Sequence, residues 1–489
     1  MADGDRIVIV GAGVAGLRAA ERLREQKFDG EIVLIGDEAR RPYHRPMVSK
    51  ALVMGTERPS DVGLSHYLPD LDVHWRLGAR VTHLDTTERV VHLPGGESLW
   101  YDGLIAATGV YPRHLPGAPR HDPRVRILRT VEDSMAVRRC LNASKKPAVV
   151  IGAGLIGNEF AASMRHIGRD VTLIGHAKAP LHRFGDRVSS GVVEAHHEHR
   201  ANLAMRSEVR HWISTKDTVG LHLTNNQLLV ASVVVLAIGS VPSVDWMRGS
   251  GLDISDGVLC DSKLFAEGAS DVVIAGDIAR WPNLRFDETP RRVEHWINAV
   301  ESARHAADNL LLGQSSARPF TPLPRAWSTL YDTRLQMCGM PSLAEDTVSL
   351  ADGITGFIRD GRLVGISSWD KPRAMLDWMA ELDRRLPAPD YVPEPEPAPV
   401  AEVPQVPVVE PALAALAAEV PPEFESGFDA QAFEREFESE FANDIPTTAF
   451  PALSPPTTAL QALSPPTTAL QAQSLPAGAL PTMAIPMGR

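Results

Sequence analysis

The residues with the clearest chemical purpose are two glycine runs. Residues 7–16 read IVIVGAGVAG and residues 149–157 read VVIGAGLIG, so an apolar, strand-like stretch feeds a GxGxxG turn twice. The chemistry of such a turn is dinucleotide binding. Its first glycine allows the tight bend, and its second lets backbone N–H groups approach a pyrophosphate. Its third lets the following helix lie close to the strand, with the helix N-terminus facing the anion. One such turn is a weak signal, because glycine-rich loops are common. Two copies 141 residues apart, both in strand–turn–helix context, predict two nucleotide sites rather than two empty turns.

The elements around the turns repeat as well. Helix-like stretches follow at 17–26 and 159–167, then a second strand in each copy, IVLIGDE from Ile32 and VTLIGHA from Val171. Aligning the two sets Asp37 against His176. A carboxylate there bonds a ribose 2′-hydroxyl and repels a 2′-phosphate, so the first copy suits a nucleotide with a free 2′-OH such as FAD. The second copy offers Gly175, His176 and Lys178 and no acid. That pattern tilts toward the 2′-phosphate of NADPH over NADH; side chains that simply face solvent are the alternative. Matching apolar runs at 104–112 and 234–242 each end in Gly then Pro, closing one half. A strand at 272–281 ends in Gly276–Asp277, where an acid can reach a ribityl hydroxyl or cap a helix.

These halves sit in a chain of 489 residues, length for about two to four domains. The net charge of −12 lies wholly in the segment from Pro387 onward, which holds fourteen acids, two arginines and 20 of the 39 prolines. The residues before it are balanced. No basic excess recruits nucleic acid, and no apolar run reaches the roughly 18 residues that span a bilayer. The N-terminal residues enter a strand without a secretory-signal layout, so the expected location is cytoplasmic. Cys140, Cys260 and Cys338 are too far apart for a CxxC pair, and no cysteine follows the second strand of the first half. Electrons therefore have no protein thiol through which to leave.

In combination, GAGVAG, PYHRPMVSK, ATG, GAGLIGNE, AIG, AGDIARWPN and WSTLYDTRLQM resemble the ferredoxin/putidaredoxin/rubredoxin reductase family, over about residues 5–388. The resemblance implies an α/β fold with two Rossmann-like nucleotide-binding domains. The FAD domain (1–113 and 253–318) is split by an inserted NAD(P)H domain (114–252). A small α+β C-terminal domain (319–386) and a disordered tail (387–489) follow. It further implies flavin contacts at Gly11, Gly13, Ala15, Gly16, Asp37, Lys50, Val81, Arg129, Asp277 and Trp296. Nicotinamide-cofactor contacts fall at Gly152, Gly154, Gly157 and Glu159, with His176 and Lys178 toward a 2′-phosphate. Trp327 would lie beside the isoalloxazine, and Lys50 would pair with Glu159. The implied activity passes hydride from NADPH or NADH to FAD and single electrons to a ferredoxin-type iron–sulfur protein, feeding a cytochrome P450 or another oxygenase. The alternatives are reduction of a quinone or small molecule, and an apoptosis-inducing-factor-like scaffold role.

Departures from the family pattern are local. Gly175 stands where an acid is usual, and Asn158 where an apolar residue is usual. AWSTLYD replaces FWSDQYD near the expected acceptor-docking face. In EAHHEHR, His196 and His199 can share a helix face, and a solvated helix is expected there rather than a metal site. Arg291 and Arg292 precede an amphipathic helix pattern and offer a positive patch. The tail reads as polyproline-like linker, then a short acidic helix with Phe433, Phe437 and Phe441 on one stripe, either a docking segment that folds on a partner protein or a transient helix without a dedicated partner. The repeat ALSPPTTALQ follows at 452–461 and 462–471.

Overall fold

The computed structural model describes residues 5–64 and 71–389. The tail readings, namely the linker, the phenylalanine stripe and the ten-residue repeat, lie outside the described residues.

Two five-stranded sheets carry the glycine turns. In the first, the strand order is Val272–Ile274, Gly103–Ala106, Arg6–Val10, Glu31–Gly36, His74–Leu77, all parallel. In the second it is Asn202–Met205, Val171–Gly175, Ala148–Ile151, Val233–Leu236, Val125–Ile127, again all parallel. Strands from before and after the second sheet's residues meet in the first sheet, so the second is an insertion within it. The central strands are buried on both faces, as their unbroken Val/Ile runs require.

The helices are α1 (Val14–Glu25), α2 (Ala51–Met54), α3 (Val131–Ala143), α4 (Leu155–His166), α5 (Asp186–Glu198), α6 (Trp296–Leu312) and α7 (Pro372–Arg385). Helices α1 and α4 start three or four residues earlier than the apolar pattern suggests, because the third glycine of each turn already lies inside the helix. α3 opens on a capping box, with Thr130 accepting from the Asp133 N–H and Asp133 accepting from that of Thr130. The apolar runs after each central strand break in two. Gly103–Ala106 and Val110–Pro112 are separate strands, as are Val233–Leu236 and Ser240–Pro242, and the two short pieces pair antiparallel as a link between the halves.

A third sheet is antiparallel, in the order Arg325–Leu330, Thr333–Gly339, Arg362–Trp369, Ile354–Arg359, Asp346–Ala351. α7 packs on it through the buried Met375, Trp378, Met379 and Leu382. Its first hairpin reaches back to the second sheet. Leu330 and Leu335 are buried in one cluster with Ala162 of α4 and Val188 and Val192 of α5. Leu330, one of the departures assigned to an acceptor-docking face, is therefore core: it is 1% exposed. Burying a leucine contributes about 2 kcal/mol, which explains an apolar residue where a polar one is usual.

Candidate functional site

The two glycine turns superimpose bond for bond. The Gly11 N–H donates to Ile35 O at 2.8 Å and the Gly152 N–H to Ile174 O at 2.8 Å. Gly11 and Gly152 have φ of +118° and +116°, and a Cβ on either would lie 2.2 Å or 2.0 Å from the carbonyl oxygen of Ala107 or Ala237. No other residue fits there. Gly16 and Gly157 hold their helices against the turn, since a Cβ would strike the Gly11 or Gly152 carbonyl oxygen. Gly13 and Gly154 differ in kind: a Cβ on either meets no protein atom within 4 Å. Both are helix N-caps with no side-chain cap, so the first N–H groups of α1 and α4 are left for an external anion.

Two cavities of about 270 Å³ and 240 Å³ adjoin above the first sheet, sharing Gly11, Gly36, Asp37 and Thr108. The first brings together Gly13, Ala15, Lys50, Arg129, Glu159, Asp277, Trp296 and Trp327, and the second contains Val81. Gly16 lies behind the wall. Gly152, Gly154, Gly157, His176 and Lys178 line neither cavity and belong to the second turn. Leu155, Ile156 and Glu159 of α4 reach the first cavity from that side. The apolar Ile156 stays 45% exposed beside Glu159.

Lys50 and Glu159 form an ion pair at 2.9 Å. Glu159 is buried, and both its oxygens are also bonded by hydroxyls, Ser49 Oγ to Oε2 and Ser328 Oγ to Oε1, each at 2.7 Å. Arg129 meets Asp277 at 3.4 Å. Burial raises the Asp277 pKa, with the Arg129 charge opposing, and burial lowers that of Arg129, with Arg45 adding repulsion. Asp277 sits in a 3-10 turn, Gly276–Ile278, and caps no helix. Asp37 accepts from the Tyr111 hydroxyl at 3.2 Å.

Several wall residues carry no signal in sequence. Arg45 donates to Glu38 at 2.7 Å and to the Arg129 carbonyl at 2.9 Å. Ser49 and Ser328 lie inside motifs that were legible, yet their role appears only when the third sheet closes over α4. His295 Nδ1 and Trp246 Nε1 are buried without a protein partner, and each residue lines one of the two cavities. Enclosure pushes the His295 pKa down to about 4. The uncapped helix N-terminus, the open cradle at Gly13 and these two orphaned polar atoms together fit an extended, polar, anionic ligand such as FAD.

Two expectations change. His196 is not solvated: it is fully buried on α5. The Arg291–Arg292 patch is neutralised, Arg291 by Asp287 at 2.5 Å and Arg292 by Asp256 at 2.9 Å and Glu294 at 2.6 Å. Asn158, set where an apolar residue is usual, is buried, with Nδ2 donating to the Gly154 carbonyl and Oδ1 beside His196 Nε2. Among the described residues no cluster of three or more His, Cys, Asp or Glu is arranged to hold a metal. No described helix is long and apolar enough to cross a membrane. Cys140, Cys260 and Cys338 are free thiols, and none lines either cavity.

Two parallel sheets, each ending in a glycine turn that leaves an anion-binding helix terminus open, define a protein of two dinucleotides. Residues 5–303 match the family model described as pyridine nucleotide-disulphide oxidoreductase, and the chain belongs to that family. It is 33% identical to rhodocoxin reductase of Rhodococcus erythropolis over 377 residues, 75% of this chain and 87% of that one. It is 27% identical to the ferredoxin–NAD(+) reductase subunit of the benzene 1,2-dioxygenase system of Pseudomonas putida, covering 76% and 90%. Among solved structures it resembles a covalent putidaredoxin reductase–putidaredoxin complex, with TM-score 0.72, 28% identity, and coverage of 79% and 94%. The chain is an oxidoreductase whose cofactors are FAD and a nicotinamide dinucleotide.

Proposed function

We propose that this protein takes hydride from a nicotinamide nucleotide onto FAD and delivers single electrons to a ferredoxin-type iron–sulfur protein serving an oxygenase. The observation that carries the reading is the Lys50–Glu159 pair, which ties the wall of the first cavity to the N-terminal half of α4 at 2.9 Å. The domain plan goes with it: FAD on residues 1–113 and 253–318, the nicotinamide nucleotide on 114–252, and a closing domain at 319–386.

In this reading the first turn and α1 hold the FAD pyrophosphate through Gly11, Gly13 and Ala15. Asp37 holds the ribose, Val81 borders the adenine end, and Arg129 and Asp277 face the ribityl chain. When bound, FAD supplies the conversion of a two-electron hydride into two one-electron transfers. The chain supplies position and charge. Lys50 provides a cation where negative charge develops, and Glu159 with its two serine hydroxyls fixes that ammonium. Trp296 and Trp327 exclude water from the first cavity. No protein proton donor is needed for hydride transfer, which asks only for alignment.

The second turn holds the nicotinamide nucleotide through Gly152, Gly154 and Gly157. NADPH is used at least as efficiently as NADH. No acid stands at the place of Asp37: His176 takes that position, and His176 and Lys178 are exposed, with Lys178 paired to the equally exposed Asp186 at 3.0 Å. Arg206 is brought to the same edge, its N–H bonding Ala177 O at 3.1 Å.

The test is anaerobic reduction of a purified [2Fe–2S] ferredoxin with NADPH or NADH as donor. Turnover of the ferredoxin at rates far above those with a soluble quinone supports the reading. Efficient quinone reduction with an inert ferredoxin contradicts it.

A further inference from the structure

Two buried side chains and a half-buried tyrosine join the second glycine turn to the tip of the C-terminal hairpin. Asn158 Nδ2 donates to the Gly154 carbonyl at 2.7 Å, and Asn158 Oδ1 lies 2.8 Å from His196 Nε2. His196 Nδ1 lies 2.8 Å from the Tyr331 hydroxyl. The donors assign themselves. Since the Asn158 amide nitrogen is spent on Gly154, its oxygen must accept, so His196 carries its proton on Nε2 and Tyr331 donates to Nδ1. That is the neutral imidazole, and burial favours it. Tyr331 is pinned from the other side by His199, whose ring stacks on it at 3.7 Å and 10°. It also holds a left-handed φ of 58°, which a tyrosine adopts only under constraint.

The same hairpin touches α4 a second time, because Ser328 bonds Glu159 directly. Asn158 and Glu159 are consecutive, so the strand bearing Trp327 is fastened to two neighbouring residues of α4 by two separate routes. Two attachments restrict pivoting of the nucleotide-bearing sheet against the cavity more than one would.

We propose that Tyr331, His196 and Asn158 form a positioning network that fixes the second glycine turn, and with it the nicotinamide ring, against the hairpin carrying Trp327. The proposal rests on the hydride-transfer reading above. An apolar residue at 158 would leave the buried His196 N–H without an acceptor, so Asn158 and His196 belong together. None of the three touches a reacting atom. Their effect is exerted through the angle and distance at which the turn presents its nucleotide, to which transfer rates are steeply sensitive.

The test compares wild type, Tyr331→Phe, Asn158→Leu and the double variant by anaerobic stopped flow. It follows flavin bleaching at saturating NADPH or NADH, alongside the nucleotide dissociation constant and flavin content. Each single variant is expected to bleach about tenfold more slowly, with nucleotide affinity within about twofold of wild type. Because the residues act in series, the double variant should be no slower than the slower single variant. Should one substitution cost bound flavin, the other carries the comparison. Wild-type bleaching rates in both singles, or effects that multiply in the double, overturn the network while leaving the reductase reading intact. A wild-type protein whose flavin neither nucleotide bleaches overturns both.

Discussion

Glu159 is held by one cation and two hydroxyls, and the partners are not equivalent. Lys50→Met removes the positive charge paired with a buried carboxylate, which the two serine hydroxyls do not neutralise. We expect a loss of about 3 kcal/mol in urea unfolding and flavin bleaching slowed at least about tenfold. A variant with a wild-type bleaching rate would detach the pair from the chemistry. His196 makes a separate prediction. Burial lowers its pKa from 6.5 to about 4, so between those values the unfolded chain binds the extra proton. Stability is then fully present above pH 6.5 and falls as the pH drops toward 4, by roughly 3 kcal/mol from this residue. His196→Phe should flatten that part of the stability profile. Lys50, Glu159 and Trp327 were legible because each sits in a short motif. The role of His196 was not, because its partner Tyr331 is 135 positions away and only the closed third sheet brings them together.

At the scale of elements, the turns separate binding from folding. Gly11→Val places a side chain on the Ala107 carbonyl and should prevent stable folding. Gly13→Ala adds a Cβ that meets no protein atom, so the protein should fold yet lose most of its bound flavin; circular dichroism with flavin absorbance distinguishes the two outcomes. In the proposed reading the edge after Val171–Gly175 sets nucleotide choice. A Cβ at Gly175 would lie 2.9 Å from that of Ala153 and 3.1 Å from the Met205 methyl, so an acid is better tested one residue on. His176→Asp is expected to lower the NADPH/NADH ratio of kcat/KM by about tenfold or more, and an unchanged ratio would place the selectivity elsewhere. Both strand–turn–helix units could be read from sequence, since glycine spacing and buried valine runs are local facts. The pairing of Arg292 with Asp256 could not be read, because Asp256 comes from a distant loop that folding sets beside it, whereas Asp287 and Glu294 lie within four residues of the arginines they neutralise.

For the whole molecule, every cavity-lining residue lies before position 328, and the closing sheet with α7 ends by Arg385. A chain ending at Pro389 should therefore retain bound flavin and wild-type bleaching by nucleotide, measured on the purified truncation. Loss of either would give the acidic, proline-rich tail a part in the site. The doubly wound plan followed from the duplication itself, whereas the way the third sheet clamps α4 depends on contacts that no local pattern encodes.

The most direct test of the account is an anaerobic titration of the purified protein with NADPH and with NADH while the flavin absorbance is followed. The account predicts bound flavin that bleaches with about one equivalent of nucleotide, NADPH acting at least as well as NADH. Bound flavin that neither nucleotide reduces, or a protein that holds no flavin, would contradict it.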